Sequence, residues 1–426
     1  MSKRLGRSVS IIGVGYSPIG SVLKTPEIQD FTERELFAWA ALEAMEDAGV
    51  EGKDIDAFYL AQIGPAKLAH QASPSATMAE WIGMRYKPNI SHDEGCTSAN
   101  GGLHQAVMAV ASGMYDMVLS GGTGVNQAKS LWGYPPHLRE PYDDLWPVMN
   151  TISADPAYIN PGSAMLSPLD GAAVTYAKTH HISLDQVNRA LSTAAIVSRW
   201  NAVNNPKALF AKETYESEAK RAGFDDAYAY LASPEINPYA GTVSRLRFMS
   251  PVSDGASAVI VCATEKARQI VKQPIEIVGI GGSSCTHNQQ VGYPWEPEKR
   301  AFECAYEMAG IRDPYREVEY MGIHDCNAQH YFTVTETAGY FRPGEGWKGV
   351  ADGRTAHDGD RPVNTSGGRL SLGHPLGGAA GIEIAEAVSQ MRGASGARQM
   401  PTPPKQSVVQ SMGAGFHIHV TVLRTL

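Results

Sequence analysis

Cys96 lies in the run Glu94-Gly95-Cys96-Thr97-Ser98-Ala99-Asn100-Gly101-Gly102, directly ahead of a stretch, Leu103 to Val110, that reads as a helix. A thiol at a helix N-terminus faces unpaired backbone N–H groups and the positive end of the macrodipole, and both favour the thiolate. The small residues around it let a ligand come close to the backbone. Taken alone, a buried cysteine acting as a small hydrophobe is as ordinary a reading. His374, in Leu372-Gly373-His374-Pro375-Leu376-Gly377-Gly378, likewise precedes an expected helix, Ala379 to Met391. An imidazole brought beside a thiol makes a nucleophile–base pair.

Internal repetition is the reason to expect the two together. Val9-Ser10-Ile11-Ile12-Gly13-Val14-Gly15 is echoed by Ile275-Glu276-Ile277-Val278-Gly279-Ile280-Gly281, and each strand candidate is followed by a loop and a helix. The first helix opens on a capping box, Thr32 with Glu35, and closes at Gly49. Its end, Ala44 to Val50, matches Ala305 to Ile311 at four of seven positions. Val118 to Gly124 corresponds in turn to Val409 to Gly415. The offsets are 266 (Gly13 to Gly279), 261 (Gly49 to Gly310) and 291 (Gly122 to Gly413), and His374 follows Cys96 by 278. Two βαβ-rich halves of one plan, related by a pseudo-twofold axis, bring both helix starts to one cleft.

This plan places a first half at residues 1–125 and a second at 271–426. A return strand and helix at 251–270 rejoin the first half; Asp254 to Cys262 reads as a buried strand with Cys262 in the core. Residues 126–250 differ in character, with Trp132-Gly133-Tyr134-Pro135-Pro136, Trp146-Pro147, Asn160-Pro161-Gly162 and Asn237-Pro238. Two helical patterns run through them, near 168–180 and 184–201. They read as an inserted cap whose aromatics either line a pocket or pack the cap itself.

Bulk composition sets outer bounds. A chain of 426 residues exceeds one ordinary hydrophobic core, while 43% hydrophobic and 19% charged residues are globular values. A net charge of −8 without a basic run argues against a nucleic-acid partner. Five cysteines, at 96, 262, 285, 304 and 326, suit a reducing compartment better than a disulfide framework. The basic N-terminus runs into an alternating strand, so no signal peptide is expected, and no apolar window is long enough for a membrane span. A cytoplasmic location is the expectation.

In their order, these motifs resemble the thiolase superfamily over nearly the whole chain. The nucleophile loop is Gly95-Cys96-Thr97-Ser98, the strand Asp254-Gly255-Ala256 is typical, and Gly373-His374-Pro375, introduced by Asn364-Thr365-Ser366-Gly367-Gly368, is the most specific match. His324-Asp325-Cys326-Asn327 resembles the His-Asp-Cys-Phe loop of sterol-carrier-protein-type thiolases. The resemblance implies an α/β fold of five layers, αβαβα. Ser411-Met412-Gly413 stands where the family usually has Cys-x-Gly, so the usual acid/base cysteine is a serine, a poor proton shuttle near neutral pH. In the sterol-carrier-like branch the second thiol comes from the His-Asp-Cys loop, here Cys326. Asn327, where that branch has Phe, points weakly to a bulky or polar ketoacyl group.

The resemblance implies cleavage of a β-ketoacyl-CoA by CoA, with Cys96 as nucleophile and His374 as its base. Backbone N–H groups of Cys96 and Gly413 would hold the alkoxide, His324 and His374 the enolate, and Cys326 would shuttle protons. CoA is a substrate; no metal or redox cofactor is implied. A homodimer through the first half and a small OB-fold, zinc-ribbon partner are expected. Two other functions stay in view: a retro-aldolase acting on a β-hydroxyacyl-CoA, disfavoured by the joint presence of Cys96, Cys326 and His374, and a non-catalytic acyl-CoA-binding scaffold.

Three further motifs carry less. His417 and His419 share a strand face but lack a third ligand at suitable spacing, so a satisfied or exposed pair is expected. Cys285-Thr286-His287 follows the second Gly-rich strand and borders the pocket at most. Gly121-Gly122-Thr123-Gly124 lacks the P-loop lysine and spacing, and a tight turn beneath the site is expected.

Overall fold

A computed structural model describes residues 5–62, 73–125, 166–285, 293–413 and 417–426. The chain runs β1 (Val9–Tyr16), α1 (Glu33–Ala48), β2 (Ala57–Ala61), α2 (Pro74–Trp81), β3 (Asn89–His92), α3 (Ser98–Ala111) and β4 (Met117–Gly124). Four helices follow: α4 (Leu166–Thr179), α5 (Leu184–Val203), α6 (Tyr215–Arg221) and α7 (Ala227–Ala232). It continues through β5 (Gly255–Ala263), α8 (Thr264–Ile270), β6 (Ile275–Ser284), α9 (Glu296–Ala309), α10 (Pro314–Glu317) and β7 (Tyr320–Gly322). The last elements are α11 (His330–Thr337), α12 (Gly346–Ala351), α13 (Ala379–Met391), β8 (Gln406–Gly413) and β9 (His417–Thr425).

The strands lie in the order β3-β2-β4-β5-β1-β6-β9-β8-β7. In the first half β2 is parallel to β3 and β4, and β5 runs antiparallel between β4 and β1. The second half repeats the pattern, with β7 parallel to β8 and β9 antiparallel to both β8 and β6. Pairing of β1 with β6, Val9 opposite Ile277, joins the halves into one continuous sheet. Alternate residues of the first-half strands face opposite ways: Ile12, Leu119 and Ile260 toward α1, Ile11, Val118 and Val259 toward α3 and α13. Helices α3 and α13 lie between the halves and touch through Ala99 and Ala380. With α1 outside one half and α9 outside the other, the layers alternate αβαβα.

The glycines behind the repeat have a common physical cause. A Cβ on Gly13 or Gly15 would stand 2.1 or 2.4 Å from the carbonyl oxygen of Ala44 or Ala40 of α1. On Gly279 or Gly281 it would meet the oxygens of Ala305 or Ala301 of α9 at 2.3 or 2.0 Å. Both strands shift register at the equivalent point, Ile11/Gly13 and Ile277/Gly279. Both helices end on a left-handed glycine, Gly49 and Gly310, and α1 carries the expected Thr32–Glu35 capping box.

The helical patterns expected in the inserted segment are α4 and α5, and its aromatics Tyr176, Tyr215, Tyr230 and Phe248 share a buried cluster with Phe302 and Phe332 of the second half. Trp132, Tyr134, Trp146 and the Asn160-Pro161-Gly162 turn lie outside the described residues, as do Thr286, His287 and Gly415. Cys262 is fully buried in β5, which joins the first-half strands. Gly121 to Gly124 corrects one expectation: these residues are strand β4, not a turn. They are small because a Cβ on Gly122 would meet the Gly377 oxygen at 2.1 Å, where the loop before α13 crosses the strand. Among the described residues no helix is long and apolar enough to cross a membrane.

Candidate active site

Gly95 adopts a left-handed φ of 64°, turning the chain so that Cys96 stands at the head of α3 with Thr97 at the N-cap. The Cys96 side chain is buried against Leu376 and Val252, and Val252 is bridged to His374. The two helix starts therefore share a wall, as the repeat requires. The His374 backbone N–H donates to the Pro251 carbonyl at 3.1 Å, and its carbonyl accepts from Ser253 N–H at 3.2 Å. Its Nδ1 is 3.0 Å from the Ser250 hydroxyl, and its Nε2 is buried without a hydrogen-bond partner among the described residues. When Nδ1 donates to Ser250, Nε2 carries the lone pair a base needs.

The ring of His324 stands nearly perpendicular to that of His374, centroids 5.3 Å apart. Its backbone N–H donates to Gln410 Oε1 at 2.9 Å, and Gln410 Nε2 donates to Glu298 at 2.8 Å. Cys326 follows two residues on, its carbonyl accepting from Ser250 N–H at 3.0 Å, so one short segment braces both His374 and the His-Asp-Cys loop. Asp325 accepts from the Arg369 backbone N–H at 2.7 Å, and the fully buried Arg369 donates to the Ile323 carbonyl at 2.9 Å. Gly413 sits at the end of β8, where a Cβ would stand 1.8 Å from the Glu94 carbonyl oxygen. No side chain fits between that strand and the nucleophile loop.

One expectation changes. Asn327 is fully buried, donates to Ser244 Oγ at 3.1 Å and accepts from Gln329 N–H at 3.0 Å, so its amide serves the protein and says nothing about substrate polarity. Ser411 hydrogen-bonds Thr97 and Asn100 beneath α3, and its hydroxyl is held in that contact. Three residues were missed from sequence: Ser250, Arg369, and His330, whose Nδ1 lies 3.9 Å from the Cys326 sulfur. Spacing of four between Cys326 and His330, at the head of α11, was the one available signal. Behind His330 a cavity of about 40 Å³ opens between Leu169, Tyr293, Trp295 and Met412.

Charge states follow from burial. Burial and then the Arg369 guanidinium hold His374 well below the usual histidine range. Burial, then Arg369 and the other two rings, do the same for His324. Burial takes His330 down to about 3. All three are neutral imidazoles near pH 7, able to accept a proton. Desolvation, then the nearby charge of Cys96, push the Cys326 thiol upward, so it rests protonated as an acid. The rings of His330, beside the Cys326 sulfur, and of His324 lie 6.2 Å apart, which sets this thiol next to the histidine pair.

Residues 9–125 match the family model "Thiolase, N-terminal domain" and residues 282–425 the model "Thiolase C-terminal domain-like". An acetyl-CoA acetyltransferase of Methanocaldococcus jannaschii is 30% identical over 395 residues, 91% of this chain and 90% of that one. The benzoylsuccinyl-CoA thiolase subunit BbsB of Thauera aromatica is 26% identical over 418 residues, 97% of this chain and 96% of its own. Among solved structures, the Ltp2-ChsH2(DUF35) aldolase superposes with a TM-score of 0.75 at 21% identity, covering 98% of both chains.

Proposed function

The chain belongs to the thiolase family of acyltransferases, and on that footing we propose that it cleaves a β-ketoacyl-CoA with free CoA through an acyl enzyme on Cys96. His374 Nε2 takes the Cys96 proton and the thiolate attacks the β-keto carbon. The alkoxide is held by the N–H groups of Cys96 and Gly413. Its collapse breaks the C–C bond and leaves the departing acyl-CoA as an enolate, whose thioester oxygen faces His324 and His374. The Cys326 thiol protonates that carbon. The Cys326 thiolate then takes the proton of incoming CoA, whose sulfur attacks the Cys96 thioester; the Cys96 thiolate leaves and recovers the proton held by His374. The observation that supports this reading is that Cys96 packs on Val252 beside His374, the His324 ring faces His374, and the Ser250 segment braces Cys326 next to them.

A bulky or aromatic β-ketoacyl-CoA, consumed in a degradative direction, is the substrate class in this proposal. Likeness along nearly the whole chain to a benzoylsuccinyl-CoA thiolase subunit supports it. The proposal includes a homodimer through the first half, a small OB-fold, zinc-ribbon partner and a cytoplasmic site of action. A neighbour named for a two-protein aldolase supports the partner; its likeness concerns fold and leaves the reaction to be tested.

The test is CoA-dependent cleavage across a panel of β-keto and β-hydroxy acyl-CoA esters, with mass spectrometry for a trapped acyl enzyme. Cys96→Ala is expected to lower β-keto ester cleavage by roughly a thousandfold or more and to abolish the adduct. Turnover surviving that change removes the covalent route. Cleavage of β-hydroxy esters alone makes the protein an aldolase.

A further inference from the structure

Beneath the nucleophile loop lies a row of polar side chains that the proposed chemistry does not use: Glu94, His419, His104, Thr421, Asn100 and Ser411. Its protons follow by elimination. Asn100 turns Nδ2 toward the Ser411 hydroxyl at 3.0 Å and the His419 carbonyl at 3.4 Å, so its Oδ1 faces Thr421 at 2.7 Å. An amide oxygen only accepts, so the Thr421 hydroxyl donates to it. The Thr421 oxygen, 2.9 Å from His104 Nε2, must then accept, and Nε2 carries a proton. Burial keeps His104 well below the usual histidine range. It is neutral, and its Nδ1 is bare.

That bare nitrogen stands 3.1 Å from His419 Nδ1, which must donate to it. On the other side His419 Nε2 lies 2.7 Å from a Glu94 carboxylate oxygen. Burial opposes the Glu94 charge, but the hydrogen bond and charge of His419, with His92 and His417 behind, hold it below the usual carboxylate range. A carboxylate also only accepts. Both ring nitrogens of His419 therefore donate, which makes it an imidazolium. Space is kept for the pair: a Cβ on Gly101 would stand 2.0 Å from the Glu94 carboxylate. The groups facing it are His104 of α3, His92 of β3 and His417 of β9; on β6 its neighbour is Gly282.

We propose that Glu94 and His419 form a carboxylate–imidazolium pair that positions the Cys96 loop and cancels, two residues from the thiol, a negative charge that would oppose thiolate formation. Both are positioning residues, and the proposal rests on reading Cys96 as the nucleophile. Glu94 is held by the second half through its side chain at β9, and its carbonyl oxygen lies close against Gly413.

The experiment is the pH dependence of Cys96 alkylation by iodoacetamide, followed on the Cys96 peptide by mass spectrometry. It needs no substrate, so its outcome is independent of the thiolysis assay. His419→Gln leaves the Glu94 charge uncovered and is expected to raise the midpoint by about one pH unit, a tenfold slower reaction below it. The double variant Glu94→Gln/His419→Gln is expected to return the midpoint to near wild type, a rescue that loss of structure would not give. An unmoved midpoint in the single variant, or a double variant shifted as far as the single, overturns the proposal. Neutron diffraction from wild-type crystals covers variants that fail to fold. Deuterium on both His419 ring nitrogens and none on His104 Nδ1 is expected, and a bare nitrogen on His419 overturns it.

Discussion

Ser250 holds the Nδ1 side of His374, and one neutral hydrogen bond of that kind contributes about 1 kcal/mol. Ser250→Ala is expected to lower kcat roughly five- to tenfold with KM little changed, read by steady-state kinetics. Cys326 rests as a protonated thiol, and Cys326→Ser is expected to cost roughly a hundredfold or more in kcat, since both protonation of the departing carbon and activation of CoA run through it, read by steady-state kinetics. Cys96 and His374 stood out because few residue types do their chemistry and because the repeat set them at matching points, whereas the His324–Cys326 loop stood out only through family resemblance. His330, Arg369 and Ser250 carried no such mark: a histidine at a helix start, an arginine and a serine are common, and only tertiary burial brings them to the site. Asn327 was misjudged because its hydrogen bonds run to residues that sequence cannot pair with it.

Helix α9 shows what an element must give up to lie against its strand. A Cβ on Gly281 would meet the Ala301 oxygen at 2.0 Å, so Gly281→Ala is expected to destabilise the protein by roughly 1–3 kcal/mol in urea unfolding. The same helix carries buried Glu298, pushed up to about 8 by burial against the pull of a Thr337 hydrogen bond. A carboxyl raised on folding from its ordinary 4.5 contributes stability that is fully present below that value and lost as pH rises toward 8. Glu298→Gln keeps an acceptor for Gln410 and is expected to flatten that decline by up to about 1.4 kcal/mol per pH unit, read by denaturation at a series of pH values. Helix and strand positions were largely readable from periodicity and caps. Gly121 to Gly124 was not, because glycines that admit a crossing loop look the same in sequence as glycines that make a turn.

At the scale of the molecule, α3 and α13 are buried between both half-sheets, and β1 pairs with β6 across the middle. Neither half closes its core alone, so a single unfolding transition is expected. In a urea titration, tryptophan fluorescence and the reactivity of Cys96 should change together; an early, separate exposure of the thiol would show independent halves. Cys96 and His374 sit at matching points of the two halves. Strict twofold symmetry would put identical side chains at both, sulfur facing sulfur or ring facing ring, and neither combination sets a nucleophilic sulfur beside an imidazole base. With both halves in one polypeptide, the two positions are free to hold different residues. The division of labour at these two matching points is thus closed to a symmetric pair of identical chains.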